Sequence, residues 1–211
     1  MLNGVVEMPK QTFFNLPEDK KEKIIAAARK EFSRVSLYEA SISNIIKDAD
    51  ISRGSFYQYF ENKEDAFFLV LEDLININEK KFKDILKETQ GDLIKSFVIF
   101  YEYLLQFFTC EKNKNFFKNA FLNMSHRIEQ TMTSGLKKKN NSEKFKGIIK
   151  LIDISKLNIK INEDIHTIFR VLVPLTTSNI VESFAKQLSF EKSVESYKKQ
   201  LDIIKNGIYK N

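Results

Sequence analysis

The residues best suited to binding a nucleic acid stand together at Ser52, Arg53, Gly54 and Ser55. A helix in the major groove of DNA needs small residues where its backbone approaches the duplex, and longer polar side chains towards the base edges. The Arg53 guanidinium can donate to both acceptors of a guanine, which is worth about 1–3 kcal/mol of discrimination. The alternative role for Arg53 is a surface or phosphate contact.

Two short helices are predicted to position these residues. Ser41 can cap the first of them and Ser52 the second. The turn between the two helices consists of Ala49, Asp50 and Ile51. Two short helices joined by a three-residue turn are the signature of a helix-turn-helix.

Longer helices are predicted on both sides of this motif. One begins at Pro17 and ends near Arg34, and another is capped by Asn62 and Asp65 and continues towards Leu86. Further helices are expected over residues 93–108, 115–131, 163–187 and 189–209, with a kink at Pro174. The remaining segments are a loose arm without a role at 1–16, a basic break at 135–142 and a short apolar piece of undetermined type at 148–154.

The composition favours a helical protein and excludes several other classes. The 211 residues include only 6 Gly and 3 Pro, so a tightly turned β sandwich is disfavoured. Cys110 is the only cysteine, no signal segment is recognisable, and no apolar run reaches the about 20 residues that span a bilayer. We therefore expect a cytoplasmic protein without a membrane partner.

Charge alone does not identify the partner. The net charge of +6 permits nucleic-acid binding, but residues 111–150 hold ten Lys or Arg against three Glu, outside the helix-turn-helix. An enzyme finds little support, because His126 and His166 are far apart in sequence and no nucleophile elbow, phosphate loop or metal-ligand cluster is present. We expect no catalytic residue, no metal and no cofactor.

Residues 41–63 read SISNIIKDADISRGSFYQYFENK and resemble the TetR family of transcriptional regulators. The positions that match the family pattern are Ala49, Ile51, Ser52, Gly54, Tyr57, Tyr59, Phe60 and Lys63, with Ile24, Ala28 and Phe32 in the preceding helix. Asp50 and Ser36 depart from it, since relatives usually have glycine there. Asp tolerates the left-handed conformation better than most residues, so the turn is expected to form.

The resemblance implies an all-α homodimer with two domains. Residues 1–62 would form the arm and the three-helix DNA-binding domain, and residues 63–211 the helical ligand-binding and dimerisation domain. In relatives the residues matching Tyr57 and Lys63 usually contact phosphates. Tyr59 could either extend that contact or belong to the core, Phe60 is expected in the core, and Ser41 could meet phosphate or serve only as a helix cap.

The resemblance also implies a ligand site and a dimer interface in the C-terminal half. Residues 97–124 are rich in aromatic side chains, which suits either an ordinary core or a pocket for an apolar or aromatic inducer. The candidate ligand residues are Phe100, Tyr103, Phe107, Phe117, Phe121, Met124, His126 and Phe169. The candidate dimer seam is Val194, Tyr197, Leu201, Ile204 and Ile208, part of which must also pack within one monomer.

Together these features predict a repressor that binds double-stranded operator DNA of partly palindromic sequence and is released by a small molecule. The alternative is a constitutive or architectural DNA-binding protein that shares the motif but senses no ligand.

Overall fold

The computed structural model describes residues 9–122, 142–158 and 163–207, and every regular element within them is a helix. The predicted all-α fold is confirmed. The helices are α1 Gln11–Phe14, α2 Glu18–Arg34, α3 Ile42–Ala49, α4 Arg53–Tyr59, α5 Lys63–Glu88, α6 Leu93–Thr109, α7 Lys114–Leu122, α8 Ser142–Ile149, α9 Glu163–Lys186 and α10 Phe190–Asn206, with a short 3-10 helix at Ile154–Lys156.

The chain divides into two compact units. The first comprises Met1–Ile75 and Glu111–Ile128, and the second comprises Asn76–Cys110 and Glu129–Asn211. The helix α5 therefore contributes to both, and α7 belongs to the first. Because the first unit extends beyond the helix-turn-helix, the domain boundary after residue 62 stays a prediction.

The core of the first unit follows the predicted apolar face of α2. Ile24, Ala28 and Phe32 are all buried. The Phe32 ring meets Phe67 of α5 edge-on at 5.3 Å between ring centroids, and Phe67 stacks on Phe116 of α7 at 5.4 Å. Aromatic contacts thus join three helices beneath the helix-turn-helix.

The sequence predicts a loose N-terminal arm, and this prediction is wrong for the described residues 9–16. Residues 9–16 contain the helix α1, whose Phe13 side chain is only 2% exposed. The Phe13 ring packs on Phe60 at 5.6 Å between centroids. Among residues 9–16 only Pro9 and Phe13 are buried, so the apolar pattern is too short to predict a packed segment.

The second unit is built around rings on α5, α6, α9 and α10. Phe97 lies 5.1 Å from Phe82 and 5.6 Å from Phe169 between ring centroids. The Tyr101 and Tyr197 rings stack at 4.1 Å, and burial raises the pKa of Tyr101 to about 12. These contacts place the apolar faces of four helices in one core.

Gly91 joins the α5–α6 turn to the segment that follows α8. Its φ is +74°, and its carbonyl accepts a 3.0 Å hydrogen bond from the Asp153 backbone N–H. A Cβ there would collide with the backbone of Leu151 and Asp153, so this position requires glycine. The apolar piece predicted at 148–154 comprises the end of α8 and the start of the 3-10 helix.

Among the described residues, no single helix is long and apolar enough to cross a membrane. The α9 helix continues on both sides of Pro174. The basic break predicted at 135–142 lies largely outside the described residues.

Candidate nucleic-acid interface

The helix-turn-helix forms, with α3 and α4 joined by Asp50, Ile51 and Ser52, one residue later than the predicted turn because Ala49 belongs to α3. Asp50 lies in the left-handed region with φ 55° and ψ 49°. Its N–H and that of Ile51 donate to the carbonyls of Lys47 and Ile46, which closes the end of α3. The expectation that Asp50 takes over the role of a turn glycine is confirmed.

The first turn of α4 is capped by its own serines. Ser52 Oγ accepts a 3.0 Å hydrogen bond from the Ser55 N–H and lies 2.9 Å from Ser55 Oγ. Asn62 Oδ1 caps α5 in the same way by accepting from the Asp65 N–H at 3.0 Å, while Asp65 Oδ2 accepts from the Glu61 N–H. Both predicted caps are confirmed.

The helix α4 has one exposed and one buried side. Arg53, Gly54 and Tyr57 are exposed, whereas Phe56 and Tyr59 are buried. The Arg53 guanidinium lies 5.7 Å from the centroid of the Tyr57 ring, a cation–π contact. The exposed side therefore presents a cation, an aromatic hydroxyl and an open stretch of backbone.

Gly54 lies at the open stretch of that backbone. A Cβ built on Gly54 would meet only Ser52 Oγ, at 3.7 Å, which is an ordinary contact. The fold of the chain therefore has room for a side chain at this position.

The structure places Tyr59 in the core. Its side chain is 6% exposed, and its ring lies 6.4 Å from Phe13 and 6.5 Å from Phe60 between centroids. Phe60 is fully buried, as expected. Of the two roles considered for Tyr59, burial favours the core and not a DNA contact, because the helix turns this ring towards α1.

Ser41 precedes α3, but its hydroxyl makes no capping hydrogen bond. Its backbone N–H instead donates to Glu31 Oε1 at 2.8 Å. Arg34 also donates to both Glu31 oxygens, at 2.7 and 2.9 Å, and the Asn44 amide donates to them at 3.1 and 3.2 Å. Ser41 therefore occupies the predicted N-cap position but does not cap α3 with its hydroxyl, and the Glu31 carboxylate of α2 binds its N–H.

The charge of Glu31 is stabilised by these partners. The hydrogen bond from Arg34 lowers the pKa of the buried Glu31 carboxyl to about 2, with smaller contributions from the Ser41 N–H and the Asn44 amide. An ionised carboxylate thus fixes α3 relative to α2.

Lys63 begins α5, and its ammonium binds the chain that precedes α3. Lys63 Nζ donates to the carbonyls of Tyr38 at 2.5 Å and Ala40 at 3.3 Å. Those bonds hold that loop in place. A phosphate contact by Lys63 stays a prediction, and it would have to share the ammonium with these carbonyls.

Two further exposed polar residues were missed by the sequence reasoning. Gln58 is exposed beside Tyr57 on α4, and Lys47 is exposed on α3. A glutamine amide can bond adenine with both its donor and its acceptor, and lysine suits phosphate. The signal for Gln58 was its position beside Tyr57, opposite the buried Phe56.

The candidate ligand residues do not all fall in one compact unit. Phe100, Tyr103, Phe107 and Phe169 lie in the second unit, and Phe117 lies in the first. Tyr103 stacks between Phe100 at 6.2 Å and Phe107 at 5.6 Å, and Lys81 Nζ lies 5.7 Å from its ring centroid. Met124 and His126 lie outside the described residues, as does the side chain of Phe121.

The candidate dimer seam is largely used within one chain. Val194, Tyr197 and Leu201 are buried in the monomer, and the Tyr197 ring stacks on Tyr101 of α6. The spacing identified the apolar face of α10, and at these three positions that face packs within its own chain, while the dimer seam stays a prediction. Ile204 is 41% exposed, and Ile208 lies outside the described residues.

In the described part of the chain, no group of three His, Cys, Asp or Glu side chains could hold a metal ion.

The relatives that are similar in sequence include two HTH-type transcriptional regulators. The HTH-type transcriptional regulator HbdR of Aromatoleum sp. (strain CIB) is 36% identical over 80 residues, which span 38% of this chain and 33% of that protein. YvdT of Bacillus subtilis (strain 168), an uncharacterized HTH-type transcriptional regulator, is 29% identical over 202 residues, covering 92% of this chain and 94% of its own.

Solved structures share the fold. FadR from Bacillus subtilis, a transcriptional regulator in complex with stearoyl-CoA, superposes with a TM-score of 0.59 at 17% identity over 89% of this chain and 99% of its own. A cysteine mutant of the TetR-family regulator CifR, complexed with 26-base-pair double-strand operator DNA, gives a TM-score of 0.58 at 12% identity over 89% and 97%.

Two family descriptions cover most of the chain. Residues 24–69 match the bacterial regulatory proteins of the tetR family, and residues 92–208 match the tetracyclin repressor-like C-terminal domain. The second match alone spans more than half of the 211 residues. The chain therefore belongs to the TetR family of transcriptional regulators.

Proposed function

We propose that this chain is a repressor that binds a partly palindromic operator as a homodimer and is released by a hydrophobic or aromatic ligand. The observation that carries the DNA-binding part is the exposed side of α4, where Arg53, Gly54 and Tyr57 stand on a helix capped by Ser52. The similarity to CifR, which was solved with operator DNA, supports this placement.

The exposed groups divide into reading and positioning contacts. Arg53 would bond guanine through O6 and N7, while Tyr57, Lys63 and the serine hydroxyls at Ser41, Ser52 and Ser55 would contact phosphates. The missing side chain of Gly54 would let the backbone approach the duplex. Tyr59 is not included among the proposed DNA contacts because its side chain is buried.

The test begins with DNA that the wild-type protein retains from fragmented genomic DNA. Arg53→Ala should lose preference for that duplex over a scrambled one, because base contacts carry the sequence information. Lys63→Ala should weaken binding to both duplexes and flatten the salt dependence. Arg170→Ala, an exposed arginine of the second unit, is the matched control. If Arg53→Ala and Lys63→Ala both bind as wild type does, the proposed DNA-binding surface is wrong.

A homodimer is proposed because one short recognition helix buries too little surface for tight specific binding. The antiparallel helices α9 and α10 are joined by hydrogen bonds such as Thr176 Oγ1 to Tyr197 Oη at 2.7 Å. Val171 precedes Thr176 and Ile203 follows Tyr197, so both lie towards the same end of the pair. These two side chains are 50% and 55% exposed and Ile204 is 41% exposed, so we propose that these apolar side chains contact a second copy.

This interface is tested by light scattering after gel filtration. Ile203→Glu should produce a folded monomer, because it places a charge on the exposed surface without disturbing the core. Leu201→Glu should instead unfold the chain, since Leu201 is fully buried. Lys192→Glu, on an exposed position at the other end of α10, is the control. A dimer that persists in Ile203→Glu would place the interface elsewhere.

Ligand release is proposed from the aromatic composition of the second unit and from the similarity to FadR, which was solved with stearoyl-CoA. The helix α5 is the proposed lever, because it begins at Lys63 and continues into the ring cluster through Phe82. A ligand shifts the equilibrium only by binding the DNA-incompetent arrangement more tightly.

Stearoyl-CoA, a free long-chain fatty acid and benzoate would be screened by thermal shift and then tested for release of the retained duplex. Stabilisation without release would favour the constitutive DNA-binding protein as the function.

A further inference from the structure

The described part of the N-terminal arm supplies hydrogen-bond donors to the last turn of α4. The Lys10 N–H donates to the Tyr59 carbonyl at 2.9 Å, and Lys10 Nζ donates to the Tyr57 carbonyl at 2.9 Å. Thr12 Oγ1 donates to the Gln58 carbonyl. Three consecutive carbonyls of α4 therefore receive donors from two residues of the arm.

These carbonyls have no donor within their own helix. The Phe60 N–H bonds back to the Phe56 carbonyl, and the next N–H, that of Glu61, is taken by Asp65 Oδ2. The last carbonyls of any helix lack intrahelical partners, and a cation near them is favourable. The helix α4 has only seven residues, so its last turn is a large share of its length.

An apolar contact fixes the arm beside these hydrogen bonds. Phe13 is 2% exposed, and its ring packs between Tyr59 at 6.4 Å and Phe60 at 5.6 Å between centroids. The buried ring holds α1 against the C-terminal end of α4, which brings Lys10 and Thr12 to the carbonyls.

We propose that Lys10 and Thr12 are positioning residues for sequence reading: they form a C-terminal cap that sets the orientation of the recognition helix. This inference rests on the proposed function, in which α4 reads DNA. The capped carbonyls of Tyr57 and Gln58 belong to the two residues whose side chains are exposed at this end of α4. The cap therefore fixes the backbone from which both side chains reach the duplex.

A positioning role for Lys10 and a direct phosphate contact by Lys10 predict different effects on DNA binding. Loss of a positioning cap lowers affinity for the specific duplex, because groove contacts depend on geometry, and leaves non-specific binding nearly unchanged. Loss of a phosphate contact weakens binding to every duplex and reduces the slope of log K against log salt by about 0.9.

The experiment compares full-length wild type with Lys10→Met, Thr12→Val and the double variant. Binding is measured on the duplex retained by the wild type and on a scrambled duplex over a salt series. We expect the double variant to lose about tenfold in affinity for the retained duplex, the effect of roughly 1.4 kcal/mol, with scrambled binding within about twofold. Thr12→Ser keeps the hydroxyl and should bind as wild type does. Lys20→Met removes an exposed lysine of the same unit and is the charge control.

Amide hydrogen exchange gives a second readout that does not depend on DNA. The double variant should exchange faster in the last turn of α4 and at Phe60, while α2 exchanges as in wild type. Thr12→Val changes an exposed side chain to one of similar shape, so it keeps the test informative if the double variant unfolds.

The outcomes separate the two hypotheses. If the wild type retains no preferred sequence, the proposed function fails. If it does retain one and Thr12→Val and the double variant bind both duplexes as wild type does, the cap is not a positioning element. Equal losses on both duplexes with a flatter salt slope would overturn it in favour of a phosphate contact by Lys10.

Discussion

Replacing Gly54 by alanine should raise stability and lower DNA affinity at the same time. Glycine within a helix costs about 0.5–1 kcal/mol relative to alanine. The new Cβ would meet only Ser52 Oγ, at 3.7 Å, so nothing in the chain opposes the gain. At about 2–4 °C per kcal/mol for a chain of this size, the melting temperature should rise by about 1–4 °C.

The loss in DNA affinity follows from the same open position. If the α4 backbone lies against the duplex at Gly54, the added methyl group must displace DNA or helix. An extra carbon in a well-packed site typically costs about 1–3 kcal/mol. That corresponds to a loss of about 5- to 150-fold in affinity.

The assay measures thermal unfolding and binding to the retained duplex on the same preparations. Gly147→Ala is the matched control, because Gly147 also lies in a helix and its Cβ would meet only the Lys83 side chain, at 3.7 Å or more. The control should gain stability and bind DNA as wild type does. If Gly54→Ala binds as tightly as wild type, the backbone of α4 does not approach DNA there, and the reasoning is refuted.

Three other changes test the structural assignments. Glu31→Gln should destabilise the chain by about 2–3 kcal/mol at pH 7, since the pKa of Glu31 is lowered to about 2. The ion pair stabilises the fold above about pH 4.5, and this contribution is lost as the pH falls towards 2. Urea unfolding should therefore show the stabilities of wild type and variant converging in acid. Asn78→Leu should leave the free energy of unfolding unchanged or raise it, because Asn78 Oδ1 is buried without a hydrogen-bond partner and such an atom costs about 1–3 kcal/mol. A lower free energy of unfolding in a urea titration would contradict this. Tyr57→Phe should weaken binding to the retained duplex whereas Tyr59→Phe should not, because only Tyr57 is exposed; equal gel-shift affinities for both variants would remove Tyr57 from the interface.

The sequence predicted those parts of the site that depend on local chemistry. The caps at Ser52 and Asn62 and the left-handed turn at Asp50 involve partners within a few residues, so the residue types alone determine them. The positions of α3 and α4 followed from these signals. Local rules succeed where the partner of a polar group is a near neighbour in the chain.

The expectations for the arm and for Ser41 were wrong because they depend on contacts between distant residues. Lys10 bonds to Tyr57, far along the chain, and nothing in the arm's own sequence marks that partner. Ser41 stands at the N-cap position, but its hydroxyl makes no cap and its N–H bonds Glu31 of the preceding helix, a contact that a spacing pattern cannot show. The seam through Leu201 shows which face of α10 is apolar, but not whether the same chain or a second one covers it.

The polar contacts around the helix-turn-helix explain why two helices of eight and seven residues can present a defined surface. Helices this short are marginal alone. Glu31 binds the start of α3, Lys63 holds the loop before it, and Lys10 and Thr12 bind the end of α4. The motif is thus fixed at its entry and its exit before it meets DNA, so less conformational entropy is lost on binding. Since these bonds are polar while the core beneath is aromatic, loosening them should degrade sequence preference before it unfolds the unit.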